Sequence, residues 1–362
     1  MALTAPDISI IIPVRNSISF FRQTMESVLA QDMRNYEVIV VNDGSTDGSR
    51  DVAEELKRLY GRIRIIDAPD RQGPGAARNL ALHNALGEYV IFADPTDLFE
   101  PDMATSAYES AREHDADIVI FDSTPIYSED HTPDYRQRKS SYPAVFKPED
   151  HTAALFEDWG FDLNSMAFRR EFLIEAQIMF PSIPHDETIL FTCSALATAN
   201  LIVRLPRALY QHRQAFENDL DPNLSPLDFH ESCRLLRAYL EYRGIFGTYR
   251  QTYANISAAH IVNGLLGAKT SHAFIRAFEF LHIRGVADLG FTGNDAVMPT
   301  DEGQARMLRI IVDRDMISGM YEFWHYDIAL LQQRMAQPVI PPETPTTHRR
   351  TGRWRKRRAS KR

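Results

Sequence analysis

The chain has 362 residues, 44% of them hydrophobic, and a formal net charge of −9. That length and apolar content suffice for one large α/β core with a smaller second layer or domain. Its two cysteines, Cys193 and Cys233, lie far apart without C-x-x-C spacing, so neither a disulfide framework nor a zinc site is indicated.

Segments typical of strands and helices alternate over roughly the first 122 residues. Residues 8–14 form an almost unbroken aliphatic run, typical of a strand that is buried on both faces of a parallel sheet. Residues 20–31 then have the apolar spacing of a helix. Further strands are predicted at 36–41, 63–66, 88–93 and 117–121, and further helices at 51–59, 74–85 and 102–114. This order predicts an α/β fold, a doubly wound and mostly parallel sheet with helices on both faces.

Two of the predicted strands are followed by carboxylates. The strand at 36–41 leads into Asn42-Asp43-Gly44-Ser45-Thr46-Asp47, and the strand at 88–93 leads into Asp94-Pro95-Thr96-Asp97. Ligands of such sheets bind at the carboxyl ends of the strands, so these acids are expected to bind a nucleotide and its diphosphate. The loop after the first strand has neither a G-x-G-x-x-G nor a P-loop pattern, which disfavours a dehydrogenase and a P-loop hydrolase.

Taken in order, four segments resemble the inverting family 2 glycosyltransferases of the GT-A fold. The segments are Ile10-Ile11-Ile12-Pro13-Val14-x-Asn16, residues 37–49, Gly73 with Ala77-Arg78-Asn79, and residues 87–101. The resemblance covers residues 7–122 well and extends weakly to Arg213. It implies a GT-A nucleotide-sugar-binding catalytic domain over residues 1–215 and a nucleoside diphosphate sugar as donor, with UDP as the expected nucleotide.

The resemblance also implies a role for each matched residue. Asp43 would accept hydrogen bonds from the base or the ribose, and Asp94 would contact the ribose hydroxyls. Arg78 and Asn79 would line the nucleotide. The full set of residues predicted to bind the donor is Pro13, Asn16, Asp43, Arg78, Asn79, Asp94 and Arg213.

A divalent cation, Mg²⁺ or Mn²⁺, bridges the two phosphates in such enzymes and neutralises the charge that develops as the nucleoside diphosphate leaves. The usual metal ligand of the family is a second carboxylate in this loop, and this chain has Thr96 at that position. Three alternatives stay open. In the first, Asp97 binds the metal together with Asp94. In the second, Thr96 and water form a weaker metal site. In the third, the site does not depend on metal. We favour Asp97.

The catalytic base is predicted to come from later in the chain. Inversion at the anomeric carbon requires a base that takes the proton from the attacking hydroxyl. Residues 180–191 contain a turn, the paired acids Asp186 and Glu187, and an apolar helix pattern, and they resemble the family's Glu-Asp motif with the acids reversed. Either acid could be the base, and we prefer Asp186 because His185 could orient it. The alternative is that both acids only favour the helix N-terminus.

The remaining sequence divides into a helical region and a tail. Residues 216–336 have helical apolar spacing and are predicted to form a helical C-terminal subdomain. Residues 337–362 are predicted to be a disordered Pro/Thr linker and a basic tail, whose last fifteen residues include nine Lys or Arg and no acid. The tail could bind an anionic membrane surface, only increase solubility, or bind nucleic acid non-specifically. The acidic remainder of the chain argues against specific nucleic-acid binding.

Together these patterns predict a cytoplasmic inverting glycosyltransferase, with peripheral contact at the inner face of the membrane as a further hypothesis. The cytoplasm is expected because the cysteines are unpaired, the N-terminus lacks a signal-peptide pattern, and no apolar run reaches ~18 residues. The acceptor would be a glycan or a lipid-linked hydroxyl in cell-surface polysaccharide or glycolipid synthesis. The rival interpretation is a non-catalytic nucleotide-sugar or glycan-binding protein with a degenerate metal site.

Overall fold

A computed structural model describes most of the chain, and within the described part nine strands form one mixed sheet. The described residues are 5–69, 71–126, 142–160, 163–183, 187–213, 226–268 and 270–335. The strands are β1 (Ile8–Val14), β2 (Tyr36–Asn42), β3 (Ile63–Asp67), β4 (Tyr89–Phe92), β5 (Leu98–Phe99), β6 (Ile118–Ile126), β7 (Val145–Phe146), β8 (Met166–Arg169) and β9 (Ile202–Arg213).

The strand order is β3-β2-β1-β4-β8-β6-β9-β5, with β7 paired to β9. β1 runs parallel to both β2 and β4, β2 runs parallel to β3, and β6 runs parallel to β9. β8 is antiparallel to both of its neighbours, β4 and β6, and the short strands β5 and β7 are antiparallel to β9. The predicted doubly wound, mostly parallel sheet is therefore confirmed, with β8 as an antiparallel insertion at its centre.

Helices cover both faces of the sheet because side chains alternate in direction along each buried strand. Along β1, Ile8, Ile10 and Ile12 pack toward α1, α2 and α4, whereas Ile11 packs toward α3, α5 and α7. These helices are α1 (Ile18–Leu29), α2 (Ser49–Leu59), α3 (Pro74–Asn84), α4 (Met103–His114), α5 (Leu155–Trp159), α6 (Arg170–Glu175) and α7 (Thr188–Thr198).

The C-terminal part is helical, as predicted. Its helices are α8 (Pro226–Tyr242), α9 (Phe246–Leu266), α10 (Ser271–Phe280), α11 (Val286–Asp288), α12 (Glu302–Val312) and α13 (Met316–Met335), with a π-helical turn at Leu281–Gly285. α8 and α9 contribute to the same core as α7, and α9 to α13 form a further apolar cluster. The boundary at residue 215 stays a prediction, and the predicted linker and tail at 337–362 lie outside the described residues. No helix in the described ranges is both long and apolar enough to cross a bilayer.

Candidate functional site

Two of the predicted carboxylates, Asp43 and Asp94, lie at one edge of the sheet, on either side of β1. Asp43 follows β2, and its backbone N–H donates to the carbonyl oxygen of Val14 at 2.9 Å. On the other side Ala93 N–H donates to Ile11 O at 2.8 Å, which brings Asp94 to the end of β4. The carboxyl ends of three parallel strands therefore form the floor of the candidate site, where doubly wound sheets bind ligands.

The loops above β1 and β2 brace each other. Asn16 adopts a left-handed conformation with φ of 49°, and its Oδ1 accepts a hydrogen bond from Thr46 N at 2.8 Å. Asp47 accepts from Ile18 N at the start of α1 and from Ser49 N at the start of α2, both at 2.9 Å. Pro13 is buried inside β1 opposite Val41. These residues shape the edge of the sheet, and the donor contacts predicted for Pro13 and Asn16 stay predictions.

Asp43 is buried and fixes the loop that begins α3. Its Oδ1 accepts from Gln72 N at 3.0 Å and its Oδ2 accepts from Gly73 N at 3.1 Å. Gly73 has a φ of 86°, a conformation that favours glycine. The loop in turn places Arg78 on the first turns of α3, directed toward the strand ends.

Arg78 is the central cation of the site and is only 5% exposed. Its Nη1 donates to Glu187 Oε1 at 2.5 Å, and its Nη2 donates to Asp94 Oδ1 at 3.0 Å. The guanidinium carbon lies 5.4 Å from the centre of the Phe180 ring, and Nε is buried with no hydrogen-bond partner. One guanidinium thus joins the carboxylate at the end of β4 to the carboxylate at the start of α7.

The contact with Arg78 bears on which of the two acids, Asp186 or Glu187, could be the catalytic base. Glu187 is buried at the N-terminal end of α7, where its side chain makes no capping hydrogen bond and contacts Arg78 instead. A carboxylate held in this way is poorly placed to take a proton from an acceptor. Asp186 lies outside the described residues, so its predicted role as the base stays a prediction.

Asn79 attaches α3 to the segment that precedes these acids. Its Nδ2 donates to Phe180 O at 2.9 Å, and Phe180 N–H donates to its Oδ1 at 3.0 Å. A Cβ on Gly75 would lie 2.9 Å from Glu187 Cγ, so α3 and the start of α7 approach closely there. Because the Asn79 amide is occupied, this geometry favours a positioning role over its predicted contact with the nucleotide.

Asp97 is fully buried, and both of its oxygens are engaged. Oδ1 accepts from Arg213 N at 2.8 Å and Oδ2 accepts from the Tyr210 hydroxyl, while His212 Nδ1 lies 3.2 Å from Oδ2. Burial raises the pKa of the Asp97 carboxyl, and the hydrogen bond with His212 partly offsets this shift. The favoured hypothesis that Asp97 binds a metal does not fit this geometry, because neither oxygen faces the cleft unpaired.

Nor do the described residues contain a group of three or more His, Cys, Asp or Glu side chains placed to hold a metal ion. Asp94 is the more accessible carboxylate of the loop, with about a third of its side chain exposed. The predicted Asp94 and Asp97 pair is therefore not assembled as a metal site in this structure.

The predicted Arg213 packs against α1. Its Nε donates to Thr96 O at 2.9 Å, and its guanidinium lies 4.3 Å above the Phe20 ring. The neighbouring His212 is half exposed. Sequence reasoning missed the contact of Tyr210 and His212 with Asp97. The alternation of a strand, which directs residues 210 and 212 to one face, is the signal that could have indicated it.

Comparisons with known proteins agree with this architecture. The model of the family described as glycosyl transferase family 2 matches residues 9–176. EpsH of Bacillus subtilis, whose name describes a glycosyltransferase, is 31% identical over 219 residues, which cover 58% of this chain and 62% of EpsH. The poly(ribitol-phosphate) beta-glucosyltransferase of Bacillus spizizenii is 36% identical over 116 residues, covering 31% of this chain and 18% of that protein.

Among solved structures, S. aureus TarS 1-349 in complex with UDP-GlcNAc superposes with a TM-score of 0.63 at 20% identity. The match covers 89% of this chain and 92% of the TarS chain, so the likeness in fold includes the C-terminal helices. The chain spans less than two thirds of the length of the two sequence relatives.

Proposed function

We propose that this chain, which belongs to glycosyl transferase family 2 through residues 9–176, transfers a sugar from a nucleoside diphosphate sugar to an acceptor hydroxyl with inversion. The observation that carries the proposal is the buried Arg78, which links Asp94 at the end of β4 to Glu187 at the start of α7. It thus holds a donor-side acid and an acceptor-side element in one fixed geometry. The name of one sequence relative, a poly(ribitol-phosphate) beta-glucosyltransferase, supports a polymeric glycan-type acceptor for this chain.

On the donor side, the strand ends would bind the nucleoside. Arg78 occupies Asp94 Oδ1, which leaves Oδ2 for a ribose hydroxyl. Asp43 would contact the base or ribose with the lone pairs that Gln72 and Gly73 do not use. The half-exposed His212, oriented by Asp97, would hydrogen-bond the diphosphate as it leaves. No step is assigned to a metal, because the described residues contain no group of three or more His, Cys, Asp or Glu side chains that could hold one.

On the acceptor side, Asp186 would be the base. Glu187, which follows Asp186 in the sequence, is held by Arg78 at the start of α7. Asp186 would take the proton of the acceptor hydroxyl while the oxygen of that hydroxyl bonds to the anomeric carbon. The bond from that carbon to the diphosphate breaks at the same time, and the nucleoside diphosphate leaves with the electron pair. A single displacement of this kind inverts the anomeric centre.

A second function, nucleotide-sugar or glycan binding without catalysis, is favoured by one observation. Thr96 replaces the family's usual metal carboxylate, and the adjacent Asp97 is buried and hydrogen-bonded to β9. A protein of this kind would keep the nucleotide contacts of Asp43 and Asp94 and lose turnover.

Calorimetry and a turnover assay would distinguish the two functions. The purified chain is titrated with UDP, GDP and a panel of nucleotide sugars, with and without Mn²⁺, and release of nucleoside diphosphate is then measured. We expect the chain to bind one class of nucleotide and to release nucleoside diphosphate from the matching sugar donor. Asp186→Asn should abolish this release without weakening nucleotide binding. Asp150→Asn, at an exposed position, is the matched control. Binding without release across the panel would favour the second function, and absence of any binding would contradict both.

A further inference from the structure

We propose that the solvent-facing side of α13 docks on the surface of an anionic lipid bilayer. Three large side chains on this side are exposed: Ile317 by 85%, Tyr321 by 54% and Trp324 by 54%. They follow the spacing i, i+4 and i+7, so they form one stripe along the helix. We call these three residues the outer apolar face.

The opposite side of α13 is already used by the core. Phe323 is buried in the C-terminal cluster, and its ring centre lies 4.7 Å from that of Phe274. A Cβ on Gly319 would come within 2.7 Å of the Phe278 ring, so the helix backbone lies directly against α10. The helix therefore cannot rotate to bury its outer apolar face. A helix that is apolar on both sides is typical of a buried element, which indicates that this face has a partner.

Two further apolar side chains of the C-terminal helical region are exposed. Ile283 is 75% exposed on the π-helical turn, and Val312 at the end of α12 is 37% exposed. The residues that precede them are in contact, because His282 Nδ1 lies 2.9 Å from the carbonyl oxygen of Ile311. Exposed apolar side chains therefore also occur at the end of α12 and on the π-helical turn.

The chain itself indicates what kind of partner fits. α13 leads directly into residues 336–362, in which the last fifteen residues contain nine Lys or Arg, one Trp and no acid. Tyr and Trp beside basic residues are the composition that binds at the headgroup level of a membrane. A dimer through this face would instead bring two basic tails together, and like charges repel.

Three acids near the outer apolar face already have partners. Glu322 is paired with Arg306 at 2.7 Å, and Glu279 is paired with Arg314 at 3.1 Å. The Asp315 carboxylate accepts hydrogen bonds from the backbone and hydroxyl of Ser318. The arginine pairs offset two of these three charges next to the face.

Flotation with vesicles tests the proposal on the full chain and does not depend on sugar transfer. Vesicles of phosphatidylcholine alone are compared with vesicles containing roughly a third of phosphatidylglycerol, a range in which basic segments bind. We expect binding to the anionic vesicles, and a loss of about tenfold in Ile317→Glu and in Trp324→Ser. Tyr242→Ser, which removes an even more exposed aromatic side chain from the end of α8, should bind as the unchanged chain does.

Tryptophan fluorescence locates the contact. In a Trp354→Phe background the two remaining tryptophans are Trp159, which is buried, and Trp324. Anionic vesicles should therefore shift the emission of Trp324 to shorter wavelength. Unchanged emission, or equal vesicle binding by Trp324→Ser and Tyr242→Ser, would overturn the proposal. So would a dimer in sedimentation equilibrium that Trp324→Ser converts to a monomer, because the face would then bind a second copy of the chain.

Discussion

At the scale of single residues, the site depends on how one buried cation is shared. Arg78 serves two carboxylates that lie 16 and 109 positions further along the chain. Its single positive charge faces two carboxylates, and Glu187 is almost as deeply buried as Arg78 itself. Removing one partner of a buried pair leaves an uncompensated charge, which is more destabilising than replacing both partners.

We therefore expect Arg78→Met to lower the free energy of unfolding by about 3 kcal/mol. The double variant Arg78→Met/Glu187→Gln should recover more than half of that loss, because it removes the uncompensated carboxylate as well. Urea unfolding at pH 7 measures both values, and Arg22→Met, which breaks the exposed pair with Glu55, is the control. Equal stability of the single and double variants would show that Glu187 is not the partner that matters.

The sequence could predict which acids mark the site but not how they are paired. Asp43 and Asp94 follow directly from apolar strand patterns, and the structure places them beside β1 at one edge of the sheet. The contact of Arg78 with Glu187 joins helices that no local pattern relates. The engagement of Asp97 likewise depends on β9, which is more than a hundred residues away.

At the scale of elements, α3 positions the acceptor side of the site through Asn79. The two hydrogen bonds between its amide and the backbone of Phe180 directly link α3 to the segment that leads to α7. The stacked rings of Phe180 and Phe191, with centres 4.0 Å apart, then connect that segment to α7 itself.

We expect Asn79→Ala to reduce kcat more than it changes the KM for the donor, because the base moves while the nucleotide contacts remain. The loss of stability should be about 1–3 kcal/mol, since two backbone groups of Phe180 lose their partners. Steady-state kinetics and urea unfolding measure the two effects. A change confined to donor KM would instead support the original prediction that Asn79 contacts the nucleotide. Asn84→Ala, further along α3, is the control.

A second contact between elements joins α5 to α9. The Glu157 carboxylate accepts hydrogen bonds from Asn255 Nδ2 at 2.5 Å and from the Thr252 hydroxyl, and no cation among the described residues pairs with it. Burial raises the pKa of Glu157, and these hydrogen bonds offset part of the shift. Because the pKa of Glu157 is higher in the folded chain than in the unfolded chain, this carboxyl contributes its full stabilisation at pH values below its unfolded pKa. That contribution is lost as the pH rises through its folded pKa.

Glu157→Gln should therefore be more stable than the unchanged chain at pH 7, by about 1 kcal/mol or less. The gain should diminish as pH falls toward about 4, where the unfolded carboxyl also binds a proton. Unfolding curves from pH 4 to 8 test this, with the exposed Glu149→Gln as control. If the free energy of unfolding depends on pH in the same way for Glu157→Gln and for the unchanged chain, burial does not raise the pKa of Glu157 as inferred.

Periodicity was sufficient to predict the parallel strands and the helices between them. β1, β2 and β3 and the first four helices lie within a few residues of the predicted positions. The pattern did not show that β8 inserts antiparallel between β4 and β6. Pairing of that kind brings together residues about fifty to eighty positions apart, and a four-residue apolar strand has no alternation that specifies its neighbours.

At the scale of the whole molecule, the main question is whether the two predicted domains are independent. The sheet face that carries α3 and α7 shares one apolar core with Leu236 and Leu240 of α8 and with Tyr253 and Ile256 of α9. At the end of α5, a Cβ on Gly160 would lie 2.6 Å from the side chain of Ile256. Helices beyond residue 215 therefore complete a core that begins in the sheet.

We accordingly expect a chain ending after residue 215 to aggregate or to bind a hydrophobic dye, because α7 and Trp159 would lose the apolar surface that α8 and α9 supply. The full chain should unfold in a single calorimetric transition, since a shared core couples the two parts. Removing residues 348–362 should leave Tm unchanged, which makes that shortened chain the matched control. A soluble 1–215 fragment whose Tm equals one of two transitions in the full chain would establish independent domains instead. In that case the C-terminal helices could be exchanged without affecting the nucleotide site, whereas in a shared core substitutions at the buried positions of α8 and α9 would also act on α7 and on Glu187 at its start.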